Sequence, residues 1–335
     1  MSTRTGRLRV LVPETIQTSG MDCGPAALHS LLAGFGVEVS YGRLREACQT
    51  DIDGTSINAL EGSARALGLD VAQLMLPADH VALAGATALP SIAVAVLPGG
   101  MPHFVVAWRR HRRWLQLMDP ATGRRVMGAR GLVNLLYIHE QAVPIEAWTA
   151  FSAAPSFQDA LRERLCALGL REGNAAELIT RAEAAGPRSM AALDAQARDL
   201  AGCDRAPARK AVRSRLDRAV EDPESAIQTL PKEAWFARPM DGGTEVLLRG
   251  AVLVRARGLA SEPPDPSNLP PDLAAALTEP APRPARSLLA TARAAGRVAI
   301  APLILATVLL AAGTIAEAAF LQNSLDDNDV RFALL

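Results

Sequence analysis

Four residues among the first 120 of the chain have the types needed to cleave an amide bond. Cys23 lies in a glycine- and serine-containing stretch, His103 opens an apolar run, Asp119 follows another, and Gln17 precedes Cys23 by six positions. A cysteine thiolate is a nucleophile, an imidazole moves the proton, and a carboxylate orients the imidazole. A side-chain amide can stabilise the oxyanion. We predict a thiol-hydrolase site with Cys23 as nucleophile, His103 as general base, Asp119 as orienting group and Gln17 as oxyanion donor.

Cys23 is predicted to lie at the N-terminus of a helix. Pro25 suits a first helical turn. The apolar residues that follow recur at helical spacing, and two glycines end the helix; the apolar residues are Leu28, Leu31, Leu32 and Phe35, and the glycines are Gly34 and Gly36. Unpaired N–H groups and the helix dipole favour a thiolate at this position. The competing Cys48 ends a helix predicted over residues 41–48, where the dipole disfavours a thiolate, and we therefore reject it as nucleophile.

The other two residues are predicted on neighbouring strands. Ser91–Val96, His103–Trp108 and Trp114–Met118 have the pattern of an antiparallel meander. A hairpin centred on His111 would set His103 directly opposite Asp119, on one face of the sheet. This prediction depends on the register, since a slip of one residue would turn Asp119 to the other face.

Composition and spacing exclude several other classes of protein. The 35 basic and 35 acidic residues cancel, and aromatic residues make up only 4%, which argues against a nucleic-acid-binding protein. Neither lysine, Lys210 or Lys232, lies in the Gly-Lys-Ser/Thr sequence of a P-loop. The four cysteines lack CxxC spacing, so we expect no zinc site. We also expect no cofactor in this chain.

Composition shifts divide the chain into five predicted segments. These are a peptidase-like segment 1–148, a mainly helical segment 149–260, a Pro-rich then Arg-rich linker 261–297, a transmembrane helix 298–322, and a loop 323–335 outside the cytoplasm. The second segment has helical patterns at Phe157–Leu168, Ala175–Ala185, Met190–Leu200 and Ala208–Val220, and a strand-like stretch at Glu245–Val254 with Arg249-Gly250 as a possible turn. A spacing or docking role is favoured for it over substrate recognition.

The apolar stretch near the end of the chain predicts a location. Residues 298–316 contain no charged side chain, and a helix over 298–322 would be long enough to cross a bilayer. Arginines precede this stretch and aspartates follow it, so the positive-inside rule places residues 1–297 in the cytoplasm, at a plasma membrane. The alternative is a buried core helix.

The motifs together resemble the bacteriocin-processing peptidase domain of bacterial ABC exporters. The resemblance rests on Gln17, the stretch Asp22-Cys23-Gly24-Pro25-Ala26, His103 with the residues that follow it, and Asp119-Pro120-Ala121-Thr122-Gly123. It implies an α+β, papain-like cysteine peptidase fold of N-terminal helices and an antiparallel sheet. It also implies cleavage of a leader peptide after a Gly-Gly pair, by a protein of the bacterial inner membrane.

The same resemblance implies the partners. They are a double-glycine leader precursor peptide, the remaining transmembrane and nucleotide-binding parts of an exporter, and a second copy of the chain in the full transporter. ATP would bind only the nucleotide-binding part, which this sequence does not contain. Two alternatives stay open, a peptidase-like domain that binds the leader without cleaving it, and a protease separate from its transporter.

Overall fold

The computed structural model of this chain describes residues 8–48, 54–203, 208–240, 242–279, 288–291 and 304–319. The chain divides into two compact units, Met1–Ala281 and Pro282–Leu335. The first unit has an α+β fold built on an antiparallel sheet, as the sequence predicts.

An eight-stranded sheet runs through the first unit in the order β1-β8-β2-β3-β4-β5, with β6 and β7 also paired to β8. The strands are β1 (Leu69–Leu76), β2 (Ser91–Val96), β3 (Pro102–His111), β4 (Trp114–Asp119), β5 (Gly123–Gly128), β6 (Ile138–Pro144), β7 (Ala237–Pro239) and β8 (Glu245–Leu259). The strands β2 to β4 are the predicted meander.

Helices cover the sheet and form a layer beside it. They are α1 (Cys23–Gly34), α2 (Tyr41–Ala47), α3 (Ile57–Ala66), α4 (Ala129–Leu135), α5 (Ile145–Ser152), α6 (Pro155–Ala167), α7 (Glu172–Ala185), α8 (Pro187–Gly202), α9 (Arg209–Glu221), α10 (Pro223–Thr229) and α11 (Pro271–Thr278). The apolar face of α1 packs on Val106 and Trp108 of β3. A Cβ on Gly34 would lie 2.0 Å from the Trp108 ring, so the close approach of helix and strand requires glycine there.

The register of the β3–β4 hairpin differs from the prediction. Its turn is Arg112-Arg113, and the strands pair as Val106 with Met118 and Ala107 with Leu117. Continuing this register sets Asp119 opposite Val105, two residues along from His103. Because alternate residues share a face, His103 and Asp119 are diagonal neighbours on the same face and not a directly opposed pair.

A one-residue bulge brings His103 and Asp119 to the same face. Next to the turn, Arg109 pairs with Gln116, and the register shifts between Ala107 and Arg109, where Trp108 is the extra residue. Without it, the two-residue turn would place Asp119 and His103 on opposite faces. Trp108 is buried and its indole N–H donates to the Arg9 carbonyl at 3.1 Å, which fixes the bulge in place.

The long strand β8 lies in the middle of the sheet. It pairs with β1 along Ala251–Leu259 and with β2 at residues 253–255, although the sequence-based boundary at 148/149 assigns it to a separate segment. Arg249-Gly250 is mid-strand and not a turn. A Cβ on Gly250 would lie 2.4 Å from the Leu76 carbonyl oxygen, so glycine allows the close strand contact.

The helices between β6 and β7 have their own apolar core. Helices α6 to α9 cover the four predicted helical patterns, and their core includes Trp148, Phe157, Trp235 and Phe236. Buried charges join this layer to the 3₁₀ turn Ala78–Ala82. Arg164 of α6 binds Asp79 and Asp194, and Arg198 of α8 binds the same two carboxylates. Breaking this network is costly because Arg164 and Asp194 are buried and would be left with an unpaired charge.

The proline-rich stretch predicted as part of a linker contains helix α11. Pro271 begins this helix, and Leu273 and Ala276 are buried in the core beside α2. Proline is well suited to a first helical turn, and two apolar residues three apart form one face, so high proline content does not prevent a short docked helix here. Residues 280–287 and 292–297 of the predicted linker lie outside the described residues.

Part of the predicted transmembrane segment can be compared with the structure. Residues 304–319 are helical, whereas 298–303 and 320–322, and the predicted loop 323–335, lie outside the described residues. No helix within the described ranges is long and apolar enough to cross a bilayer.

Candidate active site

Cys23 is the first residue of α1, as the sequence predicts. Its side chain is mostly buried and lies at the start of β3, where the backbone N–H of Phe104 hydrogen-bonds to the sulfur. The backbone N–H of Gly24 and the imidazole of His103 are the other hydrogen-bond partners of the sulfur. The helix start and the beginning of β3 thus together supply the groups that stabilise a thiolate.

His103 and Asp119 form a buried pair. The distance between His103 Nε2 and Asp119 Oδ1 is 2.8 Å, and both side chains are 5% exposed or less. Because Nε2 is bound to Asp119, Nδ1 is the nitrogen left to face Cys23. The carboxylate therefore sets the orientation of the ring toward the sulfur.

The turn after β4 fixes the Asp119 carboxylate. The Ala121 N–H donates to Oδ1 at 2.9 Å, and the Thr122 hydroxyl donates to Oδ2 at 3.0 Å. Arg125 of β5 lies 3.3 Å from Oδ2. The contact of Arg125 with the Asp119 carboxylate was not predicted from the sequence. The signal that could have indicated it is the position of the arginine, six residues after Asp119 on the next strand of a tight hairpin.

The electrostatics favour a thiolate–imidazolium pair. Burial raises the pKa of Cys23, but the hydrogen bonds from His103, Phe104 and Gly24 outweigh it, and the net shift is downward. Burial lowers the pKa of His103, but the hydrogen bonds with Asp119 and Cys23 outweigh it and raise the pKa to about 9. The pKa of Asp119 falls well below its usual range, since hydrogen bonds led by that from His103 exceed the effect of burial.

Gln17 lies next to the same turn. Its backbone N–H donates to the Pro120 carbonyl at 2.9 Å, which joins the loop before α1 to the turn after Asp119. Its side-chain oxygen Oε1 is buried and accepts no hydrogen bond from the residues that the structure describes. Gln17 is thus held beside the Cys–His–Asp group, and its role as oxyanion donor stays a prediction.

Cys48 and His29 lie in different settings. Burial raises the pKa of Cys48 to about 12, which agrees with its rejection as nucleophile. Burial lowers the pKa of His29, whose Nδ1 lies 2.7 Å from the Thr15 hydroxyl. Within the described ranges, no cluster of three or more histidine, cysteine or acidic residues could hold a metal ion.

A cysteine at a helix start that faces a buried histidine–aspartate pair is the arrangement of a thiol peptidase. The Peptidase C39 family matches residues 12–134 of this chain. An uncharacterised protein of Methanothermobacter marburgensis is 33% identical over 115 residues, which cover 32% of this chain and 71% of that protein. The chain belongs to the Peptidase C39 family of cysteine peptidases, which confirms the resemblance found in the sequence.

Two further proteins match part of this chain. The lactococcin-G-processing and transport ATP-binding protein LagD of Lactococcus lactis is 32% identical over 108 residues, which cover 32% of this chain and 15% of LagD. A crystal structure of a double-glycine-motif protease from an AMS/PCAT transporter, in complex with the leader peptide, is 23% identical. It superposes with a TM-score of 0.35 over 41% of this chain and 93% of that structure. The chain thus matches only a small part of LagD.

Proposed function

We propose that this protein is a cysteine endopeptidase that removes the leader of a ribosomally made peptide by cutting after a Gly-Gly pair. The observation that carries the proposal is the Cys23–His103–Asp119 group, in which His103 is bound to Asp119 at 2.8 Å and lowers the pKa of the Cys23 thiol beside it. The name of LagD, which pairs processing with transport of lactococcin G, supports the same substrate class. Glycines suit a narrow cleft, since they let the scissile backbone approach the sulfur without side chains.

The residues would divide the reaction as follows. The Cys23 thiolate attacks the carbonyl carbon of the second glycine, and the resulting oxyanion accepts hydrogen bonds from the Cys23 N–H and the Gln17 amide. The C–N bond breaks as the His103 imidazolium gives its proton to the leaving amine, which is the mature peptide. Water then attacks the thioester while His103 takes its proton, and this step releases the leader and restores the Cys23 thiolate beside the His103 imidazolium.

We propose further that the peptidase works as the N-terminal part of an ABC exporter. Support comes from the apolar segment 298–322, from the arginines before it and from the aspartates after it. In this proposal residues 1–297 face the cytoplasm at the inner membrane, the transmembrane and nucleotide-binding parts are partners, and two copies assemble. The spacing or docking role of the helices between β6 and β7 stays a prediction.

Cleavage of a double-glycine precursor tests the proposal. We expect the full chain to release a leader ending in Gly-Gly, identified by the masses of both products, and Cys23→Ala to release none because it lacks the nucleophile. Cys203→Ala is the matched control, since Cys203 is exposed and should leave the cleavage rate unchanged.

Two results would contradict the proposal. A precursor that binds the unmodified chain and stays intact would favour the non-cleaving docking domain. Cleavage that persists in Cys23→Ala would mean that another group is the nucleophile.

Replacing the second glycine of the precursor by valine should abolish cleavage without abolishing binding of the leader, because the added side chain would block only the approach to the sulfur.

A further inference from the structure

Asp22 occupies the N-cap position of α1 but does not cap the helix. An N-cap aspartate usually accepts hydrogen bonds from the backbone N–H groups of the first turn. Here the side chain makes no such bond, and the residue is 1% exposed. Instead, Oδ2 accepts the Thr18 hydroxyl at 2.7 Å and lies 2.9 Å from Nε of Arg45 on α2. A buried carboxylate directly before Cys23 therefore faces the preceding loop.

The charge of Asp22 is retained in this setting. Burial raises the pKa of Asp22, but the hydrogen bonds from Thr18, Arg45 and Ser19 outweigh it and bring the pKa below its usual value. Hydrogen bonds to an ionised carboxylate are stronger than those between neutral groups. Asp22 is thus an ionised anchor for the loop that precedes the helix.

Helix α2 gives this anchor a fixed base. The backbone N–H of Ser40 donates to the Ala276 carbonyl at 2.7 Å, and Arg43 Nε lies 2.8 Å from Glu279 Oε1 beyond the end of α11. Leu273 of α11 is buried in the same core as Leu44 of α2. Arg45 therefore projects toward Asp22 from a helix that is docked on α11.

The loop held in this way carries Gln17. Thr18 follows Gln17 and binds Asp22 at the other end of the loop, where the Asp22 N–H also donates to the Ser19 carbonyl at 3.3 Å. The Gln17 N–H is bound to Pro120. The loop is thus fixed at the turn beside Asp119, at Asp22 and, through Asp22, at Arg45. A side-chain amide on a short loop held at these points has little freedom to turn.

We propose that Asp22 is a positioning residue, which acts through Thr18 and Arg45 to hold the Gln17 amide at the oxyanion site. The inference rests on the function proposed above. Because a positioned oxyanion donor acts mainly in the transition state, losing its position lowers kcat and leaves KM little changed. Activation of the Cys23 thiol depends on His103 and not on Asp22, so the reactivity of the thiol should not change.

The test combines single and double variants of the full chain. We expect Gln17→Ala to lower kcat by about 10²–10³-fold and Asp22→Asn by about 10-fold or more, with the KM for the precursor changed less than about threefold. In the Gln17→Ala background, Asp22→Asn should cause almost no further loss, since the amide that it positions is gone. The rate of iodoacetamide reaction at Cys23 should match that of the unmodified chain.

A second variant covers the case in which Asp22→Asn does not fold. Thr18→Val keeps the side-chain shape and removes only the hydroxyl that binds Asp22, so it should lower kcat in the same pattern. Thr180→Val is its matched control, since Thr180 is an exposed threonine of α7 bonded to the Ala176 carbonyl.

The outcomes separate this inference from the proposed function. An unmodified chain that fails to cleave the precursor rejects both. Suppose that the unmodified chain cleaves, and that the fold loss of kcat in the double variant equals the product of the losses in Asp22→Asn and Gln17→Ala. The positioning role is then rejected and the proposed function stands. If kcat is unchanged in both Asp22→Asn and Thr18→Val, the positioning role is also rejected.

Discussion

Replacing His103 by alanine is expected to lower kcat for precursor cleavage by about 10³–10⁴-fold and to change KM little. His103 connects the other two groups, because Nε2 binds Asp119 and the opposite side of the ring faces Cys23. Its removal leaves a thiol without a proton acceptor and a leaving amine without a proton donor. The measurement is the steady-state rate of product formation by the full chain.

The matched control for this prediction is His111→Ala. His111 is exposed at the end of β3, beside the turn of the same hairpin, and it should leave kcat unchanged. A loss below about tenfold in His103→Ala would show that this imidazole does not act as the acid and base. An equal loss in His111→Ala would point to damage to the hairpin as a whole.

A fragment of residues 1–150 is expected not to fold, whereas residues 1–281 are expected to unfold in one cooperative transition. The fragment lacks β8 and leaves β1 and β2 without the strand that separates them. It also loses the buried side chains of Ala251, Leu253, Val254 and Ala256. Burial of one large aliphatic side chain contributes about 1.5–3 kcal/mol, against a total stability of about 5–15 kcal/mol for a domain.

Far-UV circular dichroism followed through heating measures this difference. Residues 1–281 should show a cooperative transition and cleave the precursor, and residues 1–150 should show neither.

A point variant gives an independent check. Leu253→Asp places a charge in the centre of the sheet and should abolish the transition, while Ser261→Asp, in the exposed segment just after β8, should keep it. A 1–150 fragment that folds and cleaves would show that β8 is dispensable.

The local elements of the site could be predicted from the sequence because their signals are local. The helix that begins at Cys23 follows from Pro25 and the apolar spacing, and β2 to β4 follow from short apolar runs between turn residues. The shared face of His103 and Asp119 was predicted, but for a directly opposed pair. The bulge at Trp108 depends on tertiary packing of its ring near Gly34, which strand patterns do not reveal.

The long-range contacts could not be predicted from a single sequence. Residues 245–254 have a strand pattern, but their pairing with β1 joins segments about 180 residues apart, and such pairing leaves no local signal. This is why the boundary at 148/149 separated a central strand from its sheet. The contact of Asp22 with Arg45 is also tertiary, and an aspartate before a helix more often indicates a cap.

The alkylation rate of Cys23 against pH tests the central claim most directly, that His103 and Asp119 activate this thiol. Peptide mapping after brief iodoacetamide treatment of the full chain gives the rate at each cysteine. Cys23 should react at pH 6, well below the pKa of about 8.5 of a free cysteine, while Cys48 stays unreacted because it is buried and its pKa is about 12.

His103→Ala should remove the advantage of Cys23 at pH 6, since the imidazolium that stabilises the thiolate is lost. In the unmodified chain the ion pair should persist until the pH passes about 9, where His103 loses its proton. Fast alkylation of Cys23 at pH 6 that disappears in His103→Ala is the predicted result. A Cys23 rate that follows the pH profile of free cysteine, unchanged by His103→Ala, would contradict the account.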